Sequence, residues 1–178
     1  MIKVLFVCLG NICRSPMAEF LLKDMVEKEE IYDKFYIASA GTSAEELGNP
    51  VHRGTRKKLA ECGINCDGKH ARQFKKEDYD YFDYILAMEE NNIYQIEHIV
   101  GSNKFKSIGK NKEYGKIYAF EPDKIRDKLG KVHRLLDFSE KPRDISDPWY
   151  TGNFDKTFDD IEEGLECFIN FLRKEEKI

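Results

Sequence analysis

Short apolar runs alternate with longer amphipathic segments along this chain, and the alternation predicts its secondary structure. The predicted buried strands are Ile2–Val7, Phe35–Ser39, Tyr84–Ala87 and His133–Phe138. The predicted helices begin after Ser15 and Pro16, cover Pro50–Glu61 and Glu89–Val100, and finish with an apolar stripe at Phe158, Ile161, Leu165, Phe168 and Leu172. Strands that alternate with helices form parallel βαβ units. We therefore predict an α/β fold, a single domain with a four-stranded parallel sheet and helices on both faces.

Composition narrows the class of protein without indicating a substrate. At 178 residues the chain can bury one substantial core, and 41% hydrophobic with 35% charged residues is ordinary for a globular protein. A formal net charge of −4 argues against nucleic acid as the main partner, and no apolar segment approaches membrane-spanning length. Five cysteines without an export signal predict reduced thiols and a cytoplasmic location.

One stretch departs from the acidic balance of the chain. Between Lys104 and Lys131 the sequence carries nine Lys and Arg but only four Asp and Glu. We expect an insertion within a domain that spans residues 1–178, forming a solvated loop with a turn at Tyr118–Pro122 and a short helical segment over Asp123–Leu129. A role in recruiting substrate is the alternative interpretation of these charges.

The chemistry is concentrated where the first strand meets the first helix. Cys8 follows the apolar run Val4–Val7, and Arg14 and Ser15 come after a spacer that contains Gly10. A short loop before a helix N-terminus can aim backbone N–H groups and the helix dipole at one point, which stabilises a thiolate and binds an oxyanion. The pattern indicates a nucleophilic cysteine, a phosphate cradle and a guanidinium clamp in one loop. A buried structural cysteine is the competing interpretation, and the strand, glycine and helix start around Cys8 disfavour it.

A phosphate ester also needs an acid for its leaving oxygen, and Asp147 is the best candidate. Pro148 disfavours helical geometry at Asp147, so the carboxyl can project from an extended loop. Trp149 and Tyr150 come next and can flank an aromatic leaving group. An Asp-Pro pair alone is more often a structural turn, but beside the loop from Cys8 to Ser15 the acid interpretation prevails.

Together these motifs resemble the low-molecular-weight protein tyrosine phosphatases. The resemblance extends over nearly the whole chain, because further segments occur in the order of that family. Those segments are Ser39–Ser43, Gly48–Pro50, Ala71–Gln73 and Phe82–Leu86. The resemblance implies hydrolysis of phosphotyrosine in proteins through a phosphocysteine intermediate, with no metal and no other cofactor. It implies a phosphotyrosine-containing protein as substrate, phosphate or other oxyanions in the loop, and neither nucleic acid nor membrane as partner.

The resemblance also gives roles to single residues. It makes Cys8 the nucleophile, Arg14 the transition-state clamp, and Asp147 the acid and later the base for water. The residues it gives to substrate binding are Leu9, Gly10, Asn11, Ile12, Cys13, Ser15, Trp149 and Tyr150. Among these, Ser15 assists the thiolate as leaving group and Asn11 holds the loop shape. Cys13 matches a second loop cysteine that can form a reversible disulfide with Cys8 under oxidation.

Two local features depart from the family pattern, besides the basic stretch. The segment Ala44–Leu47 lacks the aromatic residue that often lines the pocket, and its two glutamates favour basic over acidic peptides at the entrance. The histidine expected ahead of Ala71 is shifted, so that either Lys69 or His70 occupies its place. We expect His70 to be a solvated surface residue without a catalytic role.

Three alternative functions remain. An arsenate reductase of the same fold needs two further cysteines beyond the third strand, and Ile85–Glu90 contains none. A protein-arginine phosphatase has Thr where Ile12 stands, and the larger apolar side chain favours phosphotyrosine. A non-catalytic phosphopeptide-binding module is disfavoured because every residue that the chemistry requires is present.

Overall fold

A computed structural model describes residues 1–101, 127 and 129–178, together with the backbone of 105–111 and 115–120. The strands are β1 (Ile2–Cys8), β2 (Phe35–Gly41), β3 (Tyr84–Ala87), β4 (Phe105–Asn111), β5 (Gly115–Phe120) and β6 (Val132–Arg134). The helices are α1 (Arg14–Lys28), α2 (Arg53–Glu61), α3 (Lys76–Tyr81), α4 (Glu90–Gly101), α5 (Pro148–Thr151) and α6 (Phe154–Lys174).

Four strands form the predicted parallel sheet, in the order β2-β1-β3-β6. The central strand β1 lies between β2 and β3, so that Val4 pairs with Ile37 on one side and Tyr84 on the other. All four strands run the same way, and their carboxyl ends therefore meet at one edge. Ligands of open parallel sheets bind at that edge, and Cys8 is the last residue of β1.

Helices cover both faces of the sheet, as predicted. Successive side chains of a strand point to opposite faces. On one face, Val4 and Phe6 of β1 join a core with apolar residues of α1, α2 and α6. On the other face, Leu5 and Val7 join a second core with residues of α3 and α4. Burial on both sides explains why the segment Val4–Val7 of β1 is an unbroken apolar run in the sequence.

The strand predicted over His133–Phe138 is wrong for most of its length. The strand covers only Val132–Arg134, and Leu135–Phe138 forms a 3-10 turn. The Asp137 carboxylate accepts a hydrogen bond from the Arg134 N–H at 2.9 Å and so caps this turn. Leu135 and Leu136 are fully buried all the same, which is why an apolar run alone did not distinguish the turn from a strand.

The helices also differ from prediction at one boundary and by one additional short helix before β3. The second helix begins at Arg53 rather than Pro50, because Pro50 pairs with His70 in a β-bridge and the His52 ring accepts a hydrogen bond from the Gly54 N–H. Helix α3 was not predicted. It has six residues, and Tyr79 is its one buried side chain.

The basic stretch contains an antiparallel hairpin formed by β4 and β5. The turn predicted at Tyr118–Pro122 is wrong for Tyr118–Phe120, which belongs to β5. Glu121, Pro122 and most of Asp123–Leu129 lie outside the described residues. The assignment of the whole stretch as an insertion remains a prediction. In the described ranges, no helix is both long and apolar enough to cross a membrane.

Candidate active site

The candidate site is the loop that joins β1 to α1 at the carboxyl edge of the sheet. This loop packs tightly against the end of β2. A Cβ atom at Gly41 would lie 2.7 Å from the carbonyl oxygen of Leu9, so only glycine permits this approach. Gly41 is itself paired with Cys8 in the sheet. The register of two neighbouring strands therefore fixes where the loop begins.

Cys8 lies at the bottom of the loop, with 3% of its surface exposed. Its Sγ is 3.0 Å from the Ser15 hydroxyl oxygen and accepts a hydrogen bond from the Asn11 N–H at 3.3 Å. The side-chain amide of Asn11 donates to the Ser15 oxygen at 2.9 Å, so the Ser15 hydroxyl proton is directed either at the sulfur, 3.0 Å away, or at the Ala40 carbonyl, 3.4 Å away, and the shorter distance favours the sulfur. Two donors thus face Cys8, and both stabilise a thiolate.

The backbone of the loop directs N–H groups inward. The carbonyl oxygens of Cys8, Leu9 and Ile12 accept hydrogen bonds of 2.8–2.9 Å from backbone N–H groups outside the loop. A carbonyl and the following N–H point in opposite directions in a trans peptide, so the N–H groups after these three residues point to the inside of the loop. The first-turn N–H groups of α1 also lack intrahelical partners. The loop can therefore bind an oxyanion above Cys8.

Asn11 holds the loop in shape from behind. Its backbone is in the left-handed region, with φ of 57°, which asparagine tolerates better than most residues. Its side-chain oxygen accepts from the Arg72 N–H at 3.0 Å, and its amide donates to the Ser39 hydroxyl at 2.8 Å. Asn11 is nearly fully buried, so these bonds offset the cost of its unusual conformation.

Behind Asn11 the hydrogen-bond network continues to a buried ion pair. Ser39 Oγ donates to Glu19 Oε2 at 2.6 Å, and Lys69 Nζ lies 2.8 Å from the same oxygen. Burial raises the pKa of Glu19, but the Lys69 charge and hydrogen bonds from Lys23, Lys69 and Ser39 outweigh it and hold the pKa below its usual value. A charged carboxylate therefore anchors the chain of bonds that ends at the Ser15 hydroxyl.

Arg14 begins α1, and its guanidinium is enclosed with 1% of the residue exposed. It donates to Asp147 Oδ2 at 2.6 Å, to Glu89 Oε1 at 3.1 Å and to the Ile145 carbonyl at 3.0 Å. Burial lowers the pKa of Arg14, but the charges of Cys8, Asp147 and Glu89 outweigh burial and raise it. Within the described part of the chain its buried Nε has no hydrogen-bond partner. The guanidinium therefore carries a donor that a bound oxyanion can use.

Asp147 stands at the start of α5, opposite the loop. Its backbone is extended, with φ of −79° and ψ of 115°, and Pro148 is the first helical residue. One carboxylate oxygen accepts from the Trp149 N–H at 3.0 Å, while the other faces Arg14. The non-helical geometry expected before Pro148 is thus present, although a helical turn follows directly.

The loop and α5 enclose a pocket of about 140 Å³. One water molecule needs roughly 10–15 Å³ on this measure, so the pocket accepts a group several times larger. The predicted site residues that line it are Cys8, Leu9, Gly10, Ile12, Cys13, Arg14, Asp147, Trp149 and Tyr150. Asn11 and Ser15 do not line the pocket; both are buried behind its floor. Trp149 and Tyr150 are 56% and 78% exposed and stand at the rim.

Comparison with known proteins decides the family. A family model described as low molecular weight phosphotyrosine protein phosphatase matches residues 3–119. The chain belongs to this family. YfkJ of Bacillus subtilis (strain 168), a low molecular weight protein-tyrosine-phosphatase, is 39% identical over 180 residues, which is 100% of each chain. PtpA of Staphylococcus aureus (strain Newman), also named a low molecular weight protein-tyrosine-phosphatase, is 35% identical over 98% of this chain and 96% of its own length.

Solved structures give the same result. The crystal structure of YfkJ matches with a TM-score of 0.80 at 38% identity, covering 98% of this chain and 96% of that one. A protein tyrosine phosphatase from Entamoeba histolytica, with Hepes in its active site, matches with a TM-score of 0.76 at 28% identity over 100% of both chains. The predicted family, the α/β fold and the prediction of a phosphatase enzyme are thereby confirmed.

Some residues of this phosphatase site were not found from the sequence. Glu89 and the Ile145 carbonyl orient Arg14, and the pair formed by Glu19 and Lys69 anchors Asn11 through Ser39. Each lies far along the chain from its partner. Two signals were available: Lys69 is one of the two residues that could occupy the family's histidine position ahead of Ala71, and Glu19 is a carboxylate within an otherwise apolar stretch of α1.

The structure shows where the residues of the two local departures from the family pattern lie. Glu45 and Glu46 line the pocket at its rim, and Glu46 packs over Gly10, where a Cβ would lie 3.1 Å from its Cγ. Lys69, rather than His70, faces the network behind the loop. His70 is exposed, as expected for a surface histidine.

Cys13 also lies in the pocket wall, 4% exposed. Burial, together with the negative charges of Cys8 and Asp147, raises its pKa to about 12. Cys13 is therefore a neutral thiol at physiological pH. A neutral thiol is a poor nucleophile, so Cys13 does not share the role of Cys8. Its reversible disulfide with Cys8 remains a prediction, since both cysteines are free thiols here.

Proposed function

We propose that this chain hydrolyses phosphotyrosine in proteins, with Cys8 as nucleophile and a phosphocysteine intermediate. The observation that carries the proposal is the convergence of three groups on one pocket. Cys8 lies at its floor, Arg14 presents a buried N–H that has no partner among the described residues, and Asp147 Oδ2 lies 2.6 Å from the same guanidinium. A nucleophile, a clamp for the phosphoryl oxygens and an acid are the parts that cleavage of a phosphate ester requires.

In the first step, the Cys8 thiolate attacks phosphorus and forms an S–P bond. The bond from phosphorus to the tyrosyl oxygen breaks, its electron pair stays on that oxygen, and the carboxylic acid form of Asp147 gives it a proton. Arg14 and the inward N–H groups of the loop stabilise the charge on the equatorial oxygens.

In the second step, water attacks the phosphocysteine and Asp147, now a carboxylate, takes its proton. The S–P bond breaks and its electron pair returns to Cys8 as phosphate leaves. The Ser15 hydroxyl, 3.0 Å from Sγ, donates to the departing thiolate. Asn11 keeps that hydroxyl in place by donating to its oxygen.

The wall of the pocket favours an aromatic ester. Ile12 lies on one side of the loop, and Trp149 and Tyr150 stand at the rim, so that a flat ring has apolar surface to contact. Cys8 is almost fully buried, and a phosphotyrosyl side chain reaches deeper than a phosphoseryl one. We propose a phosphotyrosine-containing protein as the substrate, in accordance with the names of the relatives, and the cytoplasm as the location of the enzyme.

The first test replaces the nucleophile. Cys8→Ser is expected to abolish turnover of an aryl phosphate such as p-nitrophenyl phosphate, while Cys62→Ser, an exposed cysteine at the end of α2, keeps it. Steady-state rates of both variants, with circular dichroism to confirm folding, provide the measurement. Wild-type turnover by Cys8→Ser would contradict the mechanism.

The second test separates the acid from the rest of the site. Asp147→Ala should slow phosphoryl transfer by about 10²–10⁴-fold for alkyl phosphates, whose leaving oxygens need a proton, and much less for p-nitrophenyl phosphate. Equal slowing of both substrates would remove Asp147 from the acid role.

The third test concerns the ester. Phosphotyrosyl, phosphoseryl and phosphoarginyl peptides of one sequence are compared by phosphate release, and arsenate is offered with a thiol reductant. We expect the highest kcat/KM for phosphotyrosine. Preference for phosphoarginine would instead support a protein-arginine phosphatase, and arsenite production would support an arsenate reductase.

A further inference from the structure

A basic groove lies beside the active-site pocket, along the exposed side of α2. It has a volume of about 600 Å³. Its cationic lining residues are Arg53, Arg56 and Lys57, all exposed. Asp67 is the carboxylate in its lining, and in the described ranges none of the three cations forms an ion pair with a carboxylate. We call this surface the α2 groove.

His52 connects the pocket to the α2 groove, because it contacts two residues of the pocket and directly precedes Arg53 in the chain. The His52 N–H donates to the Ile12 carbonyl at 2.8 Å, and its ring meets the Trp149 ring edge-on with centroids 5.6 Å apart. Burial lowers the pKa of His52, and the nearby charges of Arg53 and Arg56 lower it further against the opposite effect of Glu46, so His52 lies within reach of both the α2 cations and the acidic rim. A substrate segment leaving the pocket past Trp149 therefore meets the cations of α2.

Glu45 and Glu46 line the pocket itself and bring negative charge to its rim. Asn49 holds Glu46 in place, since its side-chain amide donates to Glu46 Oε2 at 2.7 Å. The surroundings of Cys8 therefore carry negative charge at the pocket rim and positive charge on α2, where the three cations have no ion-pair partner among the residues that the structure describes. Because the whole chain carries a formal charge of −4, the α2 groove is a local exception to its overall charge.

We propose that the α2 groove binds acidic residues on one side of the substrate's phosphotyrosine, while Glu45 and Glu46 disfavour acidic residues on the other side. The enzyme then selects substrates according to whether their acidic residues come before or after the phosphotyrosine. This inference rests on the proposed function, because it needs a phosphotyrosine in the pocket to fix the segment. The occupant is thus an acidic, extended stretch of the phosphoprotein.

The spacing of the three cations in the α2 groove matches a short, extended acidic segment. Arg53 and Lys57 are about 6 Å apart along the helix axis, which an extended chain covers in roughly two residues. A few consecutive acidic residues are therefore enough to meet all three cations. Exposed charges act over a Debye length of about 10 Å at 0.1 M salt, so the preference must weaken as salt rises.

The test uses three phosphotyrosyl peptides that differ in charge order. One has three glutamates before the phosphotyrosine, one has them after it, and one has glutamines at all six places. We measure kcat/KM for each and divide it by the value for p-nitrophenyl phosphate, which is too small to reach α2. We expect one acidic peptide to exceed the glutamine peptide about fivefold at 50 mM salt, and the other to fall below it, with both differences shrinking at 500 mM.

Charge reversal identifies the surface responsible. The double variant Arg53→Glu/Arg56→Glu should abolish or invert the preference, and Arg56→Gln/Lys57→Gln should reduce it if the first variant folds poorly. Lys34→Glu is the matched control, since Lys34 is exposed at the opposite edge of the sheet, just before β2. It should leave the preference unchanged.

Peptide binding to Cys8→Ser, followed by fluorescence anisotropy, tests the groove separately from turnover. Absence of phosphotyrosine hydrolysis by the wild type contradicts the proposed function, whereas the binding preference still decides the groove. Equal binding of the two acidic peptides overturns the inference. Equal binding of an acidic peptide with tyrosine in place of phosphotyrosine also overturns it, because the groove would then be a general anion surface.

Discussion

The floor and the rim of the pocket are built in different ways. At the floor and directly behind it, Cys8, Asn11, Arg14 and Ser15 are each at most 3% exposed, and each has a hydrogen bond to a residue outside the loop. At the rim, more than half of the Trp149 surface is exposed, and its ring packs edge-on against His52. The comparison indicates that folding fixes the chemistry, whereas recognition is left to side chains that adapt to the substrate.

The floor and the rim differ in the step at which their side chains lose conformational freedom. Side chains at the floor lose their freedom during folding, so their dipoles are already oriented when charge develops on the phosphoryl group. A rim side chain is ordered only when a substrate binds. Changes at the floor should therefore alter kcat or stability, and changes at the rim should alter KM.

Among the changes that test this division between floor and rim, Arg14→Lys should produce the largest effect. A lysine ammonium cannot reproduce the planar fork that reaches Glu89, Asp147 and an oxyanion together. Loss of one such donor typically lowers kcat by about 10²–10³-fold, and we expect at least that. The matched control is Arg173→Lys, whose residue pairs with Glu29 at the other end of α1. Pre-steady-state rates with p-nitrophenyl phosphate measure the effect, and a fall of less than tenfold would refute a fixed floor.

The residues at the floor could be predicted from the sequence because they are contiguous in the chain. One eight-residue segment holds the nucleophile, the clamp and the turn residues, and a buried strand before it and a helix after it set its geometry. The supports of that segment could not be predicted. Lys69 and Glu89 reach the loop only through the tertiary fold, and the sequence alone does not show which charged residue will meet which carboxylate or amide.

Most of the fold could also be predicted from local sequence patterns. The prediction failed where hydrophobic periodicity did not distinguish a strand from a turn. Long apolar strands such as β1 and the strongly amphipathic α6 are encoded locally. The turn Leu135–Phe138 is apolar because it packs against α6, where Gly164 leaves room for Leu135. Burial by a distant helix gives the same hydrophobic run as a strand, so only the tertiary structure separates them.

Lys69→Met should produce the second largest effect, on stability. The variant leaves the buried Glu19 carboxylate with Lys23 and Ser39 but without its most buried cation. Breaking a buried pair costs about 3–5 kcal/mol, and because Lys23 remains we expect about 2 kcal/mol less free energy of unfolding at pH 7. Urea unfolding gives the measurement. Lys28→Met, which removes an exposed pair with Asp24 on the same helix, should change little.

The loss of stability in Lys69→Met should depend on pH. The pKa of Glu19 is lowered in the folded protein, so its contribution is present above its unfolded pKa of about 4.3 and is lost as pH falls through the folded pKa. Without Lys69, burial should push the pKa up instead. The stability gap between wild type and Lys69→Met should therefore be largest near pH 7 and shrink toward pH 4. A gap that is constant with pH would mean that lost packing, not charge, is responsible.

Trp149→Ala should produce the smallest effect, and it tests the rim. Its ring lies at the pocket mouth with one edge toward His52, where it can contact the ring of a phosphotyrosine. Aromatic pairs contribute about 0.5–1.5 kcal/mol, so KM for a phosphotyrosyl peptide should rise about two- to tenfold while kcat stays near the wild-type value. An alkyl phosphate, which has no ring, should be unaffected. Tyr32→Ala is the control, because Tyr32 has similar exposure, 58% against 56%, at the opposite edge of the sheet. A large fall in kcat would show that Trp149 helps to fix the catalytic groups, and the division between floor and rim would then fail at this residue.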